Sequence, residues 1–324
     1  MIKSLIGTSL GLFLIASGGA YAQSYPSKTV TIVVPFAVGG PNDILARIVA
    51  DYMSRDLGKP VIIENAVGAG GTLGSARAAK AEPDGHTLLS GNLGSLAASY
   101  ALYKKIAYDP REFAAVGMLA GTPNFLVVRK DFPAKTLAEF IAYARTNPGK
   151  VTVGNAGLGS NAHLVCLYLE NLAAVKLRHV PYRGTGPAMS DLFGGQIDAM
   201  CDSAPNVVPQ VQAGSVRALV IAQPKRIGAV PDVPSAPEAG LPDFNVVGWN
   251  ALVAPPKTDK AVIARANKAL MAALNDKDVR KRIEDIGAIP PQAPEESAEW
   301  MDQFLRAEVD QWGKVVRAAG VSVD

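Results

Sequence analysis

The 324-residue chain has only two cysteines and three histidines. The histidines, His86, His163 and His179, are scattered without ligand spacing, and no His-Glu-x-x-His pair is present, so the residues offer no zinc-hydrolase site. No Gly-x-Ser-x-Gly elbow is found either, which removes the simplest esterase reading. Charge of one sign is also missing. Lys and Arg number 32 against 29 Asp and Glu, for a net charge of +3, and no basic run is interleaved with aromatics, so a nucleic-acid partner is not expected. Past the amino terminus no apolar run is long enough to span a bilayer, and there is neither a solenoid repeat nor a low-complexity tail. With 48% hydrophobic and 19% charged residues, the remaining class is an ordinary globular protein.

The first 22 residues stand apart. Lys3 precedes the apolar run Leu10 to Ala16, and Ala20-Tyr21-Ala22 has the small-x-small form of a cleavage site, so residues 1–22 read as a signal peptide removed after Ala22. An uncleaved anchor is the competing reading, but the run is shorter than a spanning helix needs. Export to the periplasm follows, and what is left can build two lobes with cores of their own.

Short β-rich runs alternate with helical patterns along this chain, which predicts α/β architecture with mostly parallel sheets covered on both faces. Strands are expected at 30–35, 61–64, 87–91, 125–129, 151–154, 178–181, 197–201 and 216–222. Helices are expected at 41–57, 71–81, 136–146, 160–173, 186–193 and 205–213. The five prolines between Pro224 and Pro242 suit an irregular surface crossing. The last fifth is helical, with segments at 262–274, 279–286 and 295–319. In the final one Trp300, Met301, Phe304, Leu305, Val309, Trp312, Val315 and Val316 form one apolar stripe suited to core packing, with Gly320 as its stop.

The most informative stretch runs from Thr29 to Leu57. An apolar strand leads into Pro35-Phe36-Ala37-Val38-Gly39-Gly40-Pro41-Asn42-Asp43 and directly into an amphipathic helix. Paired glycines let a ligand approach the main chain, Pro41 suits the first helical position, and the free N–H groups of that first turn attract an anion. Three more glycine-rich loops follow strands: Gly68 to Gly74, Ser90-Gly91-Asn92-Leu93-Gly94-Ser95, and Gly154-Asn155-Ala156-Gly157-Leu158-Gly159-Ser160-Asn161. Any one of them can be a bare turn. Several at equivalent strand ends point to a shared cleft at the carboxyl edge of the sheets. The third loop also fits a relaxed dinucleotide fingerprint, Gly157-x-Gly159-x-x-Ala162. The acidic ribose partner about twenty positions on is missing, since the chain there reads Arg178-His179-Val180; no cofactor is expected. His86 reads as a turn-to-strand residue and His163 as a structural hydrogen-bonder in a first helical turn.

These residues carry a resemblance. Tyr25-Pro26-Ser27-Lys28, Pro35-Phe36-x-x-Gly39-Gly40-x-x-Asp43, Glu64-Asn65 with Gly68-Ala69-Gly70-Gly71, and Pro83-Asp84-Gly85-x-Thr87-Leu88 occur in order. So do Gly154 to Gly157 with Gly159-Ser160 and His163, Val180-Pro181-Tyr182-Arg183-Gly184, Gly195-Gln196-Ile197-Asp198, Pro231-Asp232-Val233-Pro234 and Trp312 to Val316. Over the whole exported chain this resembles the Bug-type extracytoplasmic solute receptors of tripartite tricarboxylate transporters.

The resemblance implies a two-lobed clamp, like type II periplasmic binding proteins, that closes on a small carboxylated solute and presents it to integral-membrane permease subunits. It implies a monomer that is not an enzyme, with lobe 1 at 23–124 and again at 248–324 and lobe 2 at 125–247. A secreted enzyme on the same clamp, or a receptor for a membrane sensor, are the alternatives.

Carried over, the grip on the carboxylate involves Ala37, Val38, Gly39, Gly40 and Asp43 facing Gly157, Gly159, Ser160 and Asp202, with Phe36 and Asn155 beside them. Val38, Pro41, Asn92, Leu93, Leu158 and the segment after Asp202 are expected to set specificity. An organic acid, an amino acid or an aromatic acid all fit. The chain departs from the family pattern with Asn42 for Thr, Ala66 for Arg, His86 for Tyr and Arg183 for Lys. Arg183 offers a planar fork for a second acid group, or is a solvated loop charge. Cys166 on a helix and Cys201 at a strand end of the same lobe are expected as two buried free thiols, although a bridge is open to them.

Overall fold

The computed structural model describes residues 25–319 and residue 322. The proposed signal peptide, its cleavage site and Gly320 lie outside the described residues. The strands are β1 (Val30–Val34), β2 (Val61–Asn65), β3 (Thr87–Asn92), β4 (Ala114–Arg129), β5 (Thr152–Asn155), β6 (Arg178–Pro181), β7 (Ala199–Ser203), β8 (Val216–Ile221) and β9 (Val247–Ala254). The helices that matter for the cleft are α1 (Pro41–Leu57), α2 (Thr72–Ala79), α3 (Ser99–Leu102), α4 (Leu137–Thr146), α5 (Asn161–Ala173), α6 (Thr185–Phe193) and α7 (Ala204–Gln212). The chain ends in α8 (Lys260–Asn275), α9 (Lys277–Asp285) and α10 (Ala298–Ala319). Residues 224–242 form no named element, as the prolines predict.

Hydrogen bonding runs continuously through β2-β1-β3-β9-β4-β7-β5-β6, with β8 on β4. The expected parallel pairs are present: β1 with β2 and β3, and β5 with β6 and β7. Antiparallel pairs join them through β4 and β9.

Three features differ from the expectation. The sheet is mixed rather than mostly parallel, since the pairings of β3 with β9 and of β4 with β7, β8 and β9 are antiparallel. β4 starts at Ala114 rather than Phe125, and β9 was not anticipated. Both are buried on nearly every residue, so neither shows the alternation that marks a half-exposed strand. Gly117, Gly121 and Pro123 break the apolar run in β4, and its pairing with β9 shifts register twice. The first part of β4 pairs with β9 in lobe 1, and its second part pairs with β7 and β8 in lobe 2. One strand therefore crosses from one lobe to the other.

Each half of the sheet is covered on both faces. In lobe 1, α1, α8 and α9 pack on one side around Leu45, Val49, Met53, Leu270 and Ile283. On the other side α10 contributes Met301, Leu305, Val309 and Val316, with Trp300, Phe304 and Trp312 partly buried beside them. Val315 is the exception in the predicted stripe, left exposed on the outer side of the helix. Lobe 2 buries Phe140, Val165 and Leu169 of α4 and α5 on one face and Met189, Leu192, Val207 and Val208 of α6 and α7 on the other.

The cysteines correct the expectation of free thiols. Cys166 of α5 and Cys201 of β7 form a disulfide, with Cα atoms 5.5 Å apart and both residues wholly buried. α5 packs directly on β7, which brings the two Cα atoms inside the bridging range. The bond staples α5 to the strand that leads into Asp202. It closes a segment of 35 residues, for which chain entropy gives about 3–4 kcal/mol. Replacing both cysteines by alanine is expected to lower unfolding free energy by about that amount in denaturant titrations. Thiol titration of unfolded, unreduced protein is expected to find no free group.

Candidate functional site

Four helices begin at one place. Gly40, Pro41 and Asn42 at the start of α1, Ser160, Asn161 and Ala162 at α5, Thr185 at α6, and Asp202 and Ser203 before α7 all line one cavity between the lobes, closed by Phe36, Asn92 and Ala156. Its volume is about 20 Å³, the scale of one small polar group. α1, α6 and α7 have no capping side chain. Pro41 occupies the first turn of α1, so that no N–H is wasted there. At α5 the Ser160 hydroxyl accepts from His163 N–H at 3.3 Å. Each start carries partial positive charge, and together they make a field for an anion without any Lys, Arg or His in the lining.

Asparagines hold these starts in place. In lobe 1, Asn42 Nδ2 donates to Ser90 O at 2.8 Å, and Asn92 Nδ2 donates to Asn42 Oδ1 at 2.9 Å. Ser95 N–H in turn donates to Asn92 Oδ1. In lobe 2, Asn161 Nδ2 donates to Asn124 Oδ1 on β4 at 2.8 Å, and Asn124 Nδ2 reaches Val246 O. Ser203 Oγ also donates to Asn124 Oδ1. The start of α5 is thereby tied to the strand that crosses between lobes. Among buried side-chain atoms without a hydrogen-bond partner, Asn161 Oδ1 and Thr185 Oγ1 belong to cavity residues, and Asn155 Nδ2 lies at the end of β5. Buried polar atoms are seldom left so, and their clustering here marks a place where a polar partner is wanted.

Asp202 is the one acidic residue in the lining. Its Oδ1 accepts from Ser203 N–H at 2.8 Å and its Oδ2 from Asn206 Nδ2 at 2.6 Å. Burial pushes its carboxyl up to about 6, against the lowering effect of these bonds and of the Thr185 hydroxyl. That hydroxyl is near enough to act on the charge but makes no hydrogen bond of ordinary geometry.

The structure distributes the residues named from the sequence. Phe36, Gly40, Pro41, Asn92, Ser160 and Asp202 line the cavity. Gly157, Leu158 and Arg183 instead line an outer chamber of about 660 Å³ that shares Ala156 with the cavity. Ala37 N–H donates across the cleft to Arg183 O at 3.0 Å. The Arg183 side chain is exposed.

Asp43 is spent on the loop itself. It is buried against Arg47, with Asn65 Nδ2 and Gly39 N–H also donating to it; burial raises its pKa, and these bonds outweigh that and hold it below the usual range. Asn155 supports its own loop by accepting from Gly157 N–H. Gly159 N–H donates to His163 Nδ1 at 3.1 Å, the structural role expected for that histidine. Burial, and then His179, pushes His163 down to about 4, so it stays a neutral acceptor at neutral pH. Leu93 is a core residue, 1% exposed, and Val38 points to solvent at 60% exposure. Asn42, Asn161 and Thr185 are not among the site residues named from the sequence, and Ser203 enters there only as part of the segment after Asp202. The legible signal was a polar residue at each strand-to-helix junction.

Glycines let the lobes meet. A Cβ on Gly186 would lie 2.2 Å from Val38 O, and one on Gly70 would lie 2.2 Å from Leu158 O. Tyr103 Oη of lobe 1 donates to Leu158 O at 2.8 Å on the same seam.

The comparisons with known proteins agree with this geometry. The family model described as the tripartite tricarboxylate transporter family receptor matches residues 45–321. The chain belongs to this family. Among solved receptors, MatC from Rhodopseudomonas palustris with bound malate is 45% identical, with TM-score 0.87 over 90% of this chain and 100% of that one. The periplasmic binding protein BugD is 37% identical, with TM-score 0.88 over 92% and 99%. A protein from R. palustris with adipate is 32% identical, with TM-score 0.86 over 92% and 99%. The receptor family thus accounts for the two-lobed α/β fold and the Bug-type motifs together.

Two predictions follow from the site geometry. Gly186→Ala places its methyl against Val38 O and is expected to hold the lobes apart while each lobe stays folded. Small-angle scattering should give a larger radius of gyration than the parent, with cooperative unfolding retained. Because the folded Asp202 pKa lies above the ordinary 3.8, its ionisation opposes folding. The stability of the parent relative to Asp202→Asn is therefore expected to fall as pH rises from about 4 to about 6 and to level off above, measured by denaturant midpoints.

Proposed function

We propose that this protein is a periplasmic receptor that closes two lobes on the carboxylate of a small organic solute and delivers it to the permease subunits of a tripartite tricarboxylate-type transporter. The observation that carries this is the convergence of four helix starts, with the unpartnered Asn161 and Thr185 atoms, on one cavity between the lobes. Neutral N–H dipoles hold an anion without a buried counter-charge, so the anion can be released again without separating an ion pair. The ligands bound by related receptors, malate and adipate, are carboxylates and support the reading. Export with cleavage after Ala22 belongs to it, as do lobe boundaries near 124, where β4 crosses between the halves of the sheet, and near 247, where the chain returns to lobe 1 as β9.

In this reading the cavity takes the carboxylate head and the adjoining outer chamber takes the body of the solute. There Arg183, exposed on the chamber wall, meets a second acid group.

Mass spectrometry of solute released from the purified exported protein is expected to recover an organic acid chemically unchanged. In a thermal-shift screen of organic acids, one present at ~100 times its dissociation constant should add about 2.7 kcal/mol. Ser160→Ala is expected to weaken its binding by about 0.5 to 1.5 kcal/mol. Recovery of a converted product, or no stabilisation by any acid in the screen, would overturn the proposal.

A further inference from the structure

The cavity combines two features that oppose one another. Four helix starts favour an anion, while Asp202, 2% exposed, supplies a carboxylate of its own in the same lining. No charged side chain compensates it. On α1, Asp43 is turned to Arg47. On α5, His163 accepts from Gly159 N–H and its nearest titratable neighbours are His179 and Glu170. The lining contributed by α6 and α7 is uncharged, and on β4 Arg129 pairs with Asp131 and Asp198. Asp202 is held by Ser203 N–H and Asn206 Nδ2, with the neutral Thr185 hydroxyl close by. A further acceptor, Asn161 Oδ1, lacks any donor in the same lining. Two carboxylates that share a small site without a cation do not both ionise; one retains a proton.

We infer that Asp202 takes up one proton from bulk solvent when the solute's carboxylate enters the cavity, so that it donates a hydrogen bond to the bound anion instead of repelling it. The inference rests on the receptor reading above and gives it a chemical consequence: capture is coupled to proton uptake. The geometry is what requires the proton, and burial already readies the free carboxyl by pushing it up to about 6. Below that pH Asp202 is protonated before the solute arrives, and affinity is flat. Above it, the dissociation constant rises by up to about tenfold per pH unit, until the higher pKa of the complex is passed.

The test is calorimetric titration of the full mature protein with succinate and with malate, which differ by one hydroxyl. If neither binds, the organic acid giving the largest thermal shift in the screen takes their place. Titrations at pH 5, 7 and 8, in buffers of different ionisation enthalpy, report both affinity and protons exchanged. Uptake of close to one proton at pH 7, with weaker binding at pH 8 than at pH 5, is the expected result. Asp202→Asn, whatever its affinity, is expected to lose both the proton uptake and the pH dependence. Should that variant fail to fold, the buffer series on the parent decides the matter alone.

An acid that binds with the same affinity at all three pH values and no proton exchange would overturn the inference and leave the receptor reading standing. So would an Asp202→Asn variant that loses malate but keeps succinate, which would make Asp202 an ionised acceptor for the hydroxyl. If no acid of the screen binds at any pH, the receptor reading fails, and the inference fails with it.

Discussion

The structure depends on a constraint among helix dipoles. Bringing the starts of α1, α5, α6 and α7 to one point sets like partial charges against one another and leaves first-turn N–H groups facing a cavity of about 20 Å³. Such an arrangement persists only if the surrounding fold holds it. The asparagine bonds do this at short range: Asn42 and Asn92 lock α1 to the end of β3, and Asn161 and Asn124 lock α5 to β4. The disulfide between α5 and β7 does it from behind. Each lobe thus holds its own half of the cavity lining pre-formed, and an anion that binds between them meets donors already in position. Pre-organisation of this kind lowers the ordering cost of binding.

The seam between the lobes follows from the same constraint. For two sets of helix starts to share one small group, the backbones must come closer than side chains allow, and Gly70 and Gly186 stand where a Cβ would strike a carbonyl of the other lobe. Polar contacts cross the seam, such as Ala37 N–H to Arg183 O and Tyr103 Oη to Leu158 O, and apolar ones cross it too, where Leu164 of α5 joins a lobe 1 cluster and Trp312 of α10 packs against the cores of both lobes.

Much of this was legible in the sequence because it is local. The strand, glycine pair, Pro41 and amphipathic period of α1 depend on neighbours in the chain, so the helix over 41–57 and the uncapped amino end of α1 could be read directly. Gly157 to Asn161 gave the start of α5 for the same reason, and His163 was readable as a structural acceptor from its place in the first turn. The buried strands were harder. β9 and the first half of β4 have no polar face to set a period of two, and β9 finds its partners, β3 and the first half of β4, only across more than a hundred residues of chain.

The sequence by itself determined the α/β alternation, the anion-favouring helix starts and, through its ordered motifs, the receptor family, since each is a property of contiguous residues. Tertiary structure alone decided which of those loops share a cavity. It sent Asp43 to Arg47 and Leu93 to the core, although both adjoin cavity residues in sequence. It paired Cys166 with Cys201 because α5 lies on β7, a distance no spacing rule contains. It also brought Asn161, Thr185 and Asp202 around one point while leaving Arg183 in the outer chamber. The physical reason is common to all of these: hydrogen bonds and burial act through space, and the direction in which a side chain finds its partner is fixed only when the elements around it have packed.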